Sequence, residues 1–200
     1  METLDIVIYC GIFIFAIVGT LKAQAHHFDI FGAIVLAFVT AYGGGTIRDV
    51  IMGAIPINWM NDNLAMTLVI AAVLIVSIVR INFNRLKRFI FFTDAVGLGL
   101  FTVAGIDRSA LYGANDLYAL FMGVVTATFG GLLADMLCGN VPALLRKGEL
   151  YATASGIGGA VYIAGKYMAL DATLNILICV LLVVALRVIS KWKRLMLPEA

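Results

Sequence analysis

Residues 42–53 read Tyr-Gly-Gly-Gly-Thr-Ile-Arg-Asp-Val-Ile-Met-Gly, and residues 129–139 read Phe-Gly-Gly-Leu-Leu-Ala-Asp-Met-Leu-Cys-Gly. Both stretches lie in long apolar segments, and a proline follows each of them, at Pro56 and at Pro142. A shift of 86 residues aligns them without a gap. Adjacent glycines followed by an Asp, present twice, indicate a duplicated helix with a polar site.

The duplication extends well beyond these two stretches. The same shift aligns Gly11, Phe15 and Gly19 with Gly97, Phe101 and Gly105, and Thr40, Ala41 and Asp49 with Thr126, Ala127 and Asp135. We therefore expect one membrane domain over residues 1–200, with repeat one at about 4–80 and repeat two at about 89–170. An extra helix at about 172–190 lies outside the repeat.

The composition predicts an all-α integral membrane protein. Of the 200 residues, 62% are hydrophobic and 13% are charged, and the mean hydropathy is +1.03. A transmembrane helix needs roughly 20 mainly apolar residues. Seven stretches qualify, the third of them barely: 4–21, 30–53, 64–79, 89–106, 117–139, 150–170 and 172–189. The formal net charge of +2 gives no indication of nucleic-acid binding.

Each repeat holds three spans, so the second repeat must enter the membrane from the side opposite to the first, as an inverted repeat. The basic residues agree with this count, because it leaves only two of them, Arg108 and Lys166, on one side of the membrane. Arg48 lies inside a span. Since basic residues favour the cytoplasm, we predict an external N-terminus and a cytoplasmic C-terminus in the cell membrane. The other side holds eleven basic residues: Lys22, Arg80, Arg85, Lys87, Arg88, Arg146, Lys147, Arg187, Lys191, Lys193 and Arg194.

These basic residues also indicate contact with membrane lipids. Topology and contact with headgroups account for most of them. A specific site for an anionic lipid at residues 85–88 is a second interpretation.

The adjacent glycines favour a polar cavity within the membrane. Consecutive glycines weaken a helix and permit a kink or a break, and free backbone carbonyls are tolerated there only when they face protein or water. The alternative is that these glycines are close contacts between helices. The neighbouring charges favour the cavity, because a charged side chain at the bilayer centre costs at least about 2.5 to 3.5 kcal/mol.

The two copies differ in charge, because Arg48 corresponds to Ala134. With Asp49 and Asp135, the paired motifs carry one positive and two negative charges, which predicts a net negative site. Arg48 can pair with Asp135 across the repeat axis and leave Asp49 to attract a cation. It can also pair locally and leave Asp135 free, and the sequence does not decide between these arrangements.

Other polar residues in the spans have two interpretations each. Asp94 either pairs with Arg88 or Lys87 or lies on an ion path. Lys22 and Arg108 are repeat-equivalent and end their helices, so either snorkelling or gating explains them, and Lys166 is similar. Four threonines either offer oxygens to an ion or bond to the carbonyl four residues earlier: Thr40, Thr46, Thr126 and Thr128.

Several features argue against an enzyme. The three cysteines, Cys10, Cys138 and Cys179, are far apart in apolar runs and are interpreted as packing residues. The sequence lacks a nucleophile with its base, a nucleotide loop and a metal-ligand cluster, so we expect no catalytic residue, metal or cofactor. The sixth span offers a small-residue surface for helix or subunit packing, formed by Ser155, Gly156, Gly158, Gly159 and Gly165.

The doubled Gly-Gly-x-x-x-Asp pattern, in a plan of three, three and one helices, resembles the trimeric intracellular cation channel (TRIC) family and its prokaryotic homologues. Residues 43–49 resemble the first family signature, and residues 130–135 with 140–142 resemble the second. The chain departs from the prokaryotic pattern at Ala134, where Arg is usual, and at Ile8, the counterpart of Asp94, which is often acidic.

The resemblance implies a homotrimer with one pore per protomer, lined chiefly by the second and fifth helices and permeable to monovalent cations, K⁺ or Na⁺. The expected ion path then comprises Thr40, Gly43, Gly44, Gly45, Thr46, Arg48, Asp49, Thr126, Gly130, Gly131 and Asp135. Contacts with lipid or a role in gating are the expectation for Lys22, Asp94 and Arg108.

Two functions therefore follow from the sequence. The first is a potassium-permeable channel in which carboxylates attract cations and threonines or carbonyls replace water. The alternative is a secondary transporter of a small solute such as glycine, because inverted repeats with broken helices also serve alternating access. In that case Arg48 would bind the carboxylate of the substrate.

Overall fold

The computed structural model describes residues 3–78, 83–146 and 150–193, with side chains described from residue 5 in the first range and from residue 88 in the second. Arg80, Lys147 and Arg194 lie outside these residues, as do the side chains of Arg85 and Lys87. Most of the lipid site suggested at residues 85–88 therefore lies outside the part that the structure describes.

The described residues form seven α-helices and no strand, as the sequence predicted. Five helices are long and apolar enough to cross a membrane, while α3 and α6 have 16 residues each. Short 3₁₀ turns at Asn58–Asn61 and Ala143–Leu145 follow α2 and α5. The helices are α1 (Thr3–Ala25), α2 (Ile30–Met52), α3 (Asn63–Ile78), α4 (Phe83–Leu111), α5 (Asp116–Leu137), α6 (Ala152–Tyr167) and α7 (Ala172–Lys193).

Successive helices run in opposite directions, which gives the bundle two distinct ends. Side-chain contacts identify them: Arg108, late in α4, bonds to Asn58 just after α2. Lys22, late in α1, bonds to Asp135, late in α5. We call the end where α2, α4 and α6 finish the Asp49 end, and the end where α1, α3, α5 and α7 finish the Asp135 end.

Local signals fix the limits of α2 and α5, the two helices that carry the glycine motifs. Asp29 caps α2 by accepting a bond from the Gly32 N–H at 2.8 Å, and Asn115 caps α5 by accepting one from the Tyr118 N–H at 3.1 Å. Each helix is followed by a glycine with positive φ, at 66° in Gly53 and 69° in Gly139. The last glycine of each motif therefore ends its helix.

Residues 86 positions apart make reciprocal contacts between α1 and α4. A methyl group added to Gly97 would overlap the ring of Phe15, and one added to Gly11 would overlap the ring of Phe101. The two rings meet edge to face, with centroids 4.8 Å apart. Each repeat thus packs its phenylalanine against the equivalent glycine of the other repeat at the centre of the bundle.

Reciprocal contacts also join α2 and α5, and they bear on the predicted effect of the glycines. Both helices run without a break through their glycines, so the break that consecutive glycines permit does not form. A methyl group on Gly44 would overlap the carbonyl oxygen of Thr126, and one on Gly130 would overlap that of Thr40. The glycines bring two helix backbones together, which is the packing alternative.

The small residues of α6 pack within the protomer. Gly158 faces Val183 of α7, Gly159 faces Leu120 of α5, and Gly165 faces Asn175 of α7. The hydroxyls of Ser155 and Thr102 are 2.7 Å apart. Of the two packing partners that the sequence allowed for this surface, the structure shows neighbouring helices.

Candidate functional site

The buried charges of the first motif pair with each other at the Asp49 end. Arg48 donates from Nη2 and Nε to Oδ1 of Asp49, at 2.7 and 3.0 Å. The other carboxylate oxygen, Oδ2, accepts the backbone N–H of Asn58 at 3.1 Å. Arg48 and Asp49 are 6% and 2% exposed. Arg48 therefore takes the local arrangement, and both oxygens of Asp49 have a donor.

Asp135 is also paired, but with a partner other than Arg48, which was the only partner that the sequence suggested for it. Lys22 of α1 donates to Oδ1 of Asp135 at 2.7 Å, and the backbone N–H of Ala143 donates to Oδ2 at 2.9 Å. Asp49 and Asp135 therefore share a structural role, because each fastens the turn that follows its own helix. Each carboxylate also has a basic partner, so the predicted net negative site is wrong for both.

The repeat-equivalent of Lys22 behaves differently. By symmetry Arg108 would pair with Asp49, but Arg48 already binds Oδ1 of that carboxylate. Arg108 instead donates from Nη2 to the Oδ1 atom of Asn58 at 2.7 Å, and its guanidinium lies 5.7 Å from the ring centroid of Tyr112. The first motif has Arg48 where the second has Ala134. Arg48 thus occupies the Asp49 carboxylate that would otherwise be the partner of Arg108.

A cavity of about 40 Å³ lies among these groups at the Asp49 end. Two guanidinium groups and one carboxylate contribute to its walls, and the other walls are aromatic, aliphatic or neutral polar. The lining includes Ile8, Ile12, Tyr42, Arg48, Asp49, Trp59, Phe101 and Arg108.

Asp94 has a partner other than those expected. Arg187 of α7 donates from Nη1 to Oδ2 of Asp94 at 2.5 Å, and the Tyr151 hydroxyl donates to Oδ1 at 3.2 Å. Arg88 is exposed. Arg187 is 4% exposed and lies 4.5 Å from the ring centroid of Tyr151, so it belongs to the interior and not to the predicted basic surface.

All four threonines bond to their own helix, as the second interpretation allowed. The hydroxyls of Thr40, Thr46, Thr126 and Thr128 donate to the carbonyl four residues earlier, at 2.6, 2.8, 2.6 and 2.7 Å. Their oxygens still have room to accept, and Thr46 Oγ1 accepts from Nε1 of Trp59 at 3.0 Å. A role in an ion path remains a prediction.

The remaining glycines of the motifs make lighter contacts. A methyl group on Gly43 would meet Cδ1 of Leu133 at 3.0 Å, and one on Gly131 would meet the Tyr151 hydroxyl oxygen at 3.0 Å. Gly45 faces the Arg48 guanidinium at 3.7 Å. Gly45 and Gly131 thus leave space for a polar side chain beside α2 and beside α5.

Sequence reasoning missed the partners that lie far away along the chain. Asn58 and Trp59 at the Asp49 end and Tyr151 at the Asp135 end were not selected, since no spacing rule connects them to the motifs. Tyr42 begins the first motif but was given no role. Arg187 gave the clearest signal, because it is a charged residue inside the apolar run of α7. Lys166 pairs with Asp107 at 3.0 Å and is 49% exposed in its side chain.

The described residues give little support for metal binding. Among the described residues, no group of three or more His, Cys, Asp or Glu side chains is placed to hold a metal.

Comparison with known sequences and structures places the chain in a family. The sequence model of a family described as "Glycine transporter" matches residues 5–80 and 91–167. The chain belongs to this family. Among curated relatives of this Glycine transporter family member, a UPF0126 membrane protein of Vibrio cholerae is 41% identical over 154 residues, which cover 74% of this chain and 62% of the relative. The UPF0126 inner membrane protein YadS of Escherichia coli K12 is 39% identical over 165 residues, covering 82% and 78%.

Solved structures connect the Glycine transporter family to TRIC channels and confirm the resemblance. The TRIC orthologue from Rhodobacter sphaeroides is 34% identical, with a TM-score of 0.88 over 96% of this chain and 100% of that one. A prokaryotic TRIC channel solved in 0.5 M KCl is 29% identical, with a TM-score of 0.84 over 95% and 96%. The chain is a multi-pass membrane protein of the TRIC fold.

Proposed function

We propose that the protein is a monovalent cation channel that conducts K⁺. The observation that supports this most is its likeness to a TRIC channel orthologue over 96% of the chain at 34% identity. By the same likeness we propose a homotrimer in which every protomer has its own pore between α2 and α5. The protein then catalyses no reaction, and its partners are permeant cations, lipids and two further copies of itself.

The geometry supports a closed state for such a pore. Gly44 and Gly130 hold α2 and α5 in backbone contact at the centre. At one end of this contact Arg48 binds Asp49, and at the other Lys22 binds Asp135. Conduction would require α2 and α5 to separate and the pair of Lys22 and Asp135 to part, which would present the Asp135 carboxylate to entering cations.

Reconstitution tests this proposal. The purified protein in planar bilayers should give K⁺ currents that are carried by neither N-methylglucamine nor gluconate. The Asp135→Asn variant should retain current with reduced cation selectivity, whereas Asp171→Asn, which alters an exposed residue, should behave like the unchanged protein. The absence of any cation-selective current in repeated reconstitutions would reject the channel.

Transport of glycine is the second candidate, because the matching family is described by that substrate. The excess of guanidinium groups over carboxylates around the Asp49-end cavity also suits a carboxylate better than a cation. Liposomes loaded with unlabelled glycine should then accumulate labelled glycine by counterflow, with saturation. Saturable counterflow without K⁺ current would replace the channel by a transporter, and current without counterflow would remove the transporter.

A further inference from the structure

The charge balance of the Asp49-end cavity is unusual for a site beside a membrane-buried carboxylate. Arg48 and Arg108 each bring a positive charge to the lining, whereas Asp49 alone brings a negative one. Both oxygens of Asp49 are taken, by Arg48 and by the N–H of Asn58. The Arg108 guanidinium meets only the neutral amide of Asn58 and the ring of Tyr112 among the described residues. The cavity wall therefore carries one uncompensated positive charge.

Two buried donors in the lining have no protein partner. The hydroxyl of Tyr42, a residue that is 6% exposed, and the Nε atom of Arg108 make no hydrogen bond with any described residue. Both residues line the same cavity. Buried donors without an acceptor destabilise a protein, so their occurrence together is a cost that an acceptor in the cavity would offset.

The opposite end of the bundle shows what is missing. There the basic residues Lys22 and Arg187 each bind a carboxylate, from Asp135 and from Asp94. The repeat-equivalent of Asp94 at the Asp49 end is Ile8, which lines the cavity. Ile8 offers no negative charge where the other repeat has one. A negatively charged ligand would complete the same pairing at the Asp49 end.

We propose that this cavity binds a small carboxylate of the size of acetate or glycine. A volume of about 40 Å³ is several times the roughly 10 to 15 Å³ that one water needs, and it is too small for a bulky anion. The flat guanidinium of Arg108 presents a fork that fits a carboxylate, and the Tyr42 hydroxyl adds a donor. Ile8, Ile12 and Phe101 line an apolar wall suited to a methyl or methylene group.

The inference goes beyond cation conduction and does not depend on it. It also does not require that the ligand be transported, since it concerns binding alone. A carboxylate here would bridge α4, through Arg108, and α2, through Tyr42. It would thereby hold two helices from different repeats together at the Asp49 end.

Trp59 provides a direct readout, because it lines the cavity and the chain has only two tryptophans. The second, Trp192, is 82% exposed on α7. In a Trp192→Phe background, the emission of Trp59 is followed in detergent while potassium acetate or potassium chloride replaces potassium gluconate, a bulky carboxylate, at constant ionic strength. Glycine, which carries no net charge at neutral pH, is added to the potassium gluconate buffer. We expect acetate and glycine to change the emission with saturation, and chloride to have at least tenfold weaker effect.

Matched variants identify the donors. Arg108→Gln should weaken acetate binding at least about tenfold, since a charged hydrogen bond is lost, and Tyr42→Phe about threefold to tenfold. The controls Arg146→Gln and Tyr118→Phe remove the same groups from exposed positions and should leave binding unchanged. Tyr42→Phe keeps the ring packing, so the test remains valid if Arg108→Gln fails to fold.

Several outcomes would overturn the proposal. They are the absence of a saturable change, a change given by chloride alone, and equal binding in Tyr42→Phe, Arg108→Gln and the controls. Saturation by glycine without any by acetate would also reject a general carboxylate site, because the ammonium group would then be required. Potassium currents measured on the same preparations report separately on the proposed channel.

Discussion

At the scale of single residues, the motif glycines make two kinds of contact. Gly44 and Gly130 lie against main-chain carbonyl oxygens of the opposite helix, where no side chain fits. Gly45 and Gly131 instead leave room for the Arg48 guanidinium and the Tyr151 hydroxyl. Sequence reasoning treated these glycines as one group because only their spacing was visible, whereas the opposing atoms divide them into backbone contacts and side-chain contacts.

Alanine at Gly44 or Gly130 should destabilise the protein, because its methyl group would force two helix backbones apart. Overpacking of this kind costs about 1 to 3 kcal/mol, and thermal unfolding in detergent should show a lower midpoint. Gly156→Ala is the control, since the nearest atom to its methyl group is 4.0 Å away. Equal midpoints for Gly44→Ala, Gly130→Ala and Gly156→Ala would contradict the close crossing of α2 and α5.

The buried Arg187 is a second position with a large expected effect. Arg187→Met leaves the Asp94 carboxylate in the interior without its cation, and breaking a buried pair in this way typically costs about 3 to 5 kcal/mol. We expect a marked fall in the unfolding midpoint or loss of the folded protein. The double variant Arg187→Met with Asp94→Leu should recover much of the loss, and a double variant no better than the single one would argue against the pair.

At the scale of helices, the ion pairs couple elements that the repeat keeps apart. Lys22 and Asp135 join α1 of the first repeat to α5 of the second. Asp94 and Arg187 join α4 to α7, the helix outside the repeat. Helix α7 is therefore fastened to the bundle by a charge as well as by packing.

Release of the link between α1 and α5 should favour an open pore. Lys22→Gln leaves Asp135 partly buried without its cation, which should lower stability by about 1 to 3 kcal/mol and raise K⁺ flux into liposomes relative to the unchanged protein. Lys166→Gln breaks an exposed pair and serves as the control, with an effect of at most about 1 kcal/mol. Unchanged flux in Lys22→Gln would mean that this pair does not restrain the pore.

Most of the helices could be predicted from the sequence, because lipid requires long apolar runs with internal hydrogen bonds. The ends were less accurate: α1 continues to Ala25 and α4 to Leu111, since polar residues such as Lys22 and Arg108 extend helices into the interfaces. The partner of Asp94 could not be predicted, because Arg187 is 93 positions away and a nearer arginine offered a simpler pairing.

The candidate site was predicted in its composition but not in its connections. Arg48 and Asp49 were selected from the motif, and one of their two suggested pairings is observed. The pairing of Asp135 with Lys22 requires α1 and α5 to end on the same side of the membrane. The predicted inverted repeat already implied that they do. The orphaned donors of Tyr42 and Arg108 depend on side-chain directions that periodicity does not give.

At the scale of the whole molecule, the surface and the charges make two further predictions. Large apolar side chains such as Phe31, Leu117 and Leu181 are 71%, 71% and 66% exposed, as expected for a chain surrounded by lipid. A homotrimer should give three times the 21.5 kDa chain mass in light scattering after subtraction of detergent. A protein mass of one chain across a range of mild detergents would contradict the trimer.

The orientation can be tested with single cysteines. In a background with alanine at Cys10, Cys138 and Cys179, a cysteine at Tyr112 should react with an impermeant maleimide on intact cells. A cysteine at Asn140 should react only after permeabilisation, because we predict from the basic residues that this end of the bundle faces the cytoplasm. The reverse pattern of labelling would invert the topology.

The crossing of α2 and α5 also affects which pairs of positions can covary among related sequences. Gly44 touches a carbonyl of Thr126 and Gly130 a carbonyl of Thr40, and a carbonyl is the same whatever side chain its residue carries. Neither contact can be compensated by a change in its partner, so correlated substitutions between these positions should be weak even though the helices are in contact. Lys22 with Asp135 and Arg187 with Asp94 can compensate, and they should dominate the covariation between the halves.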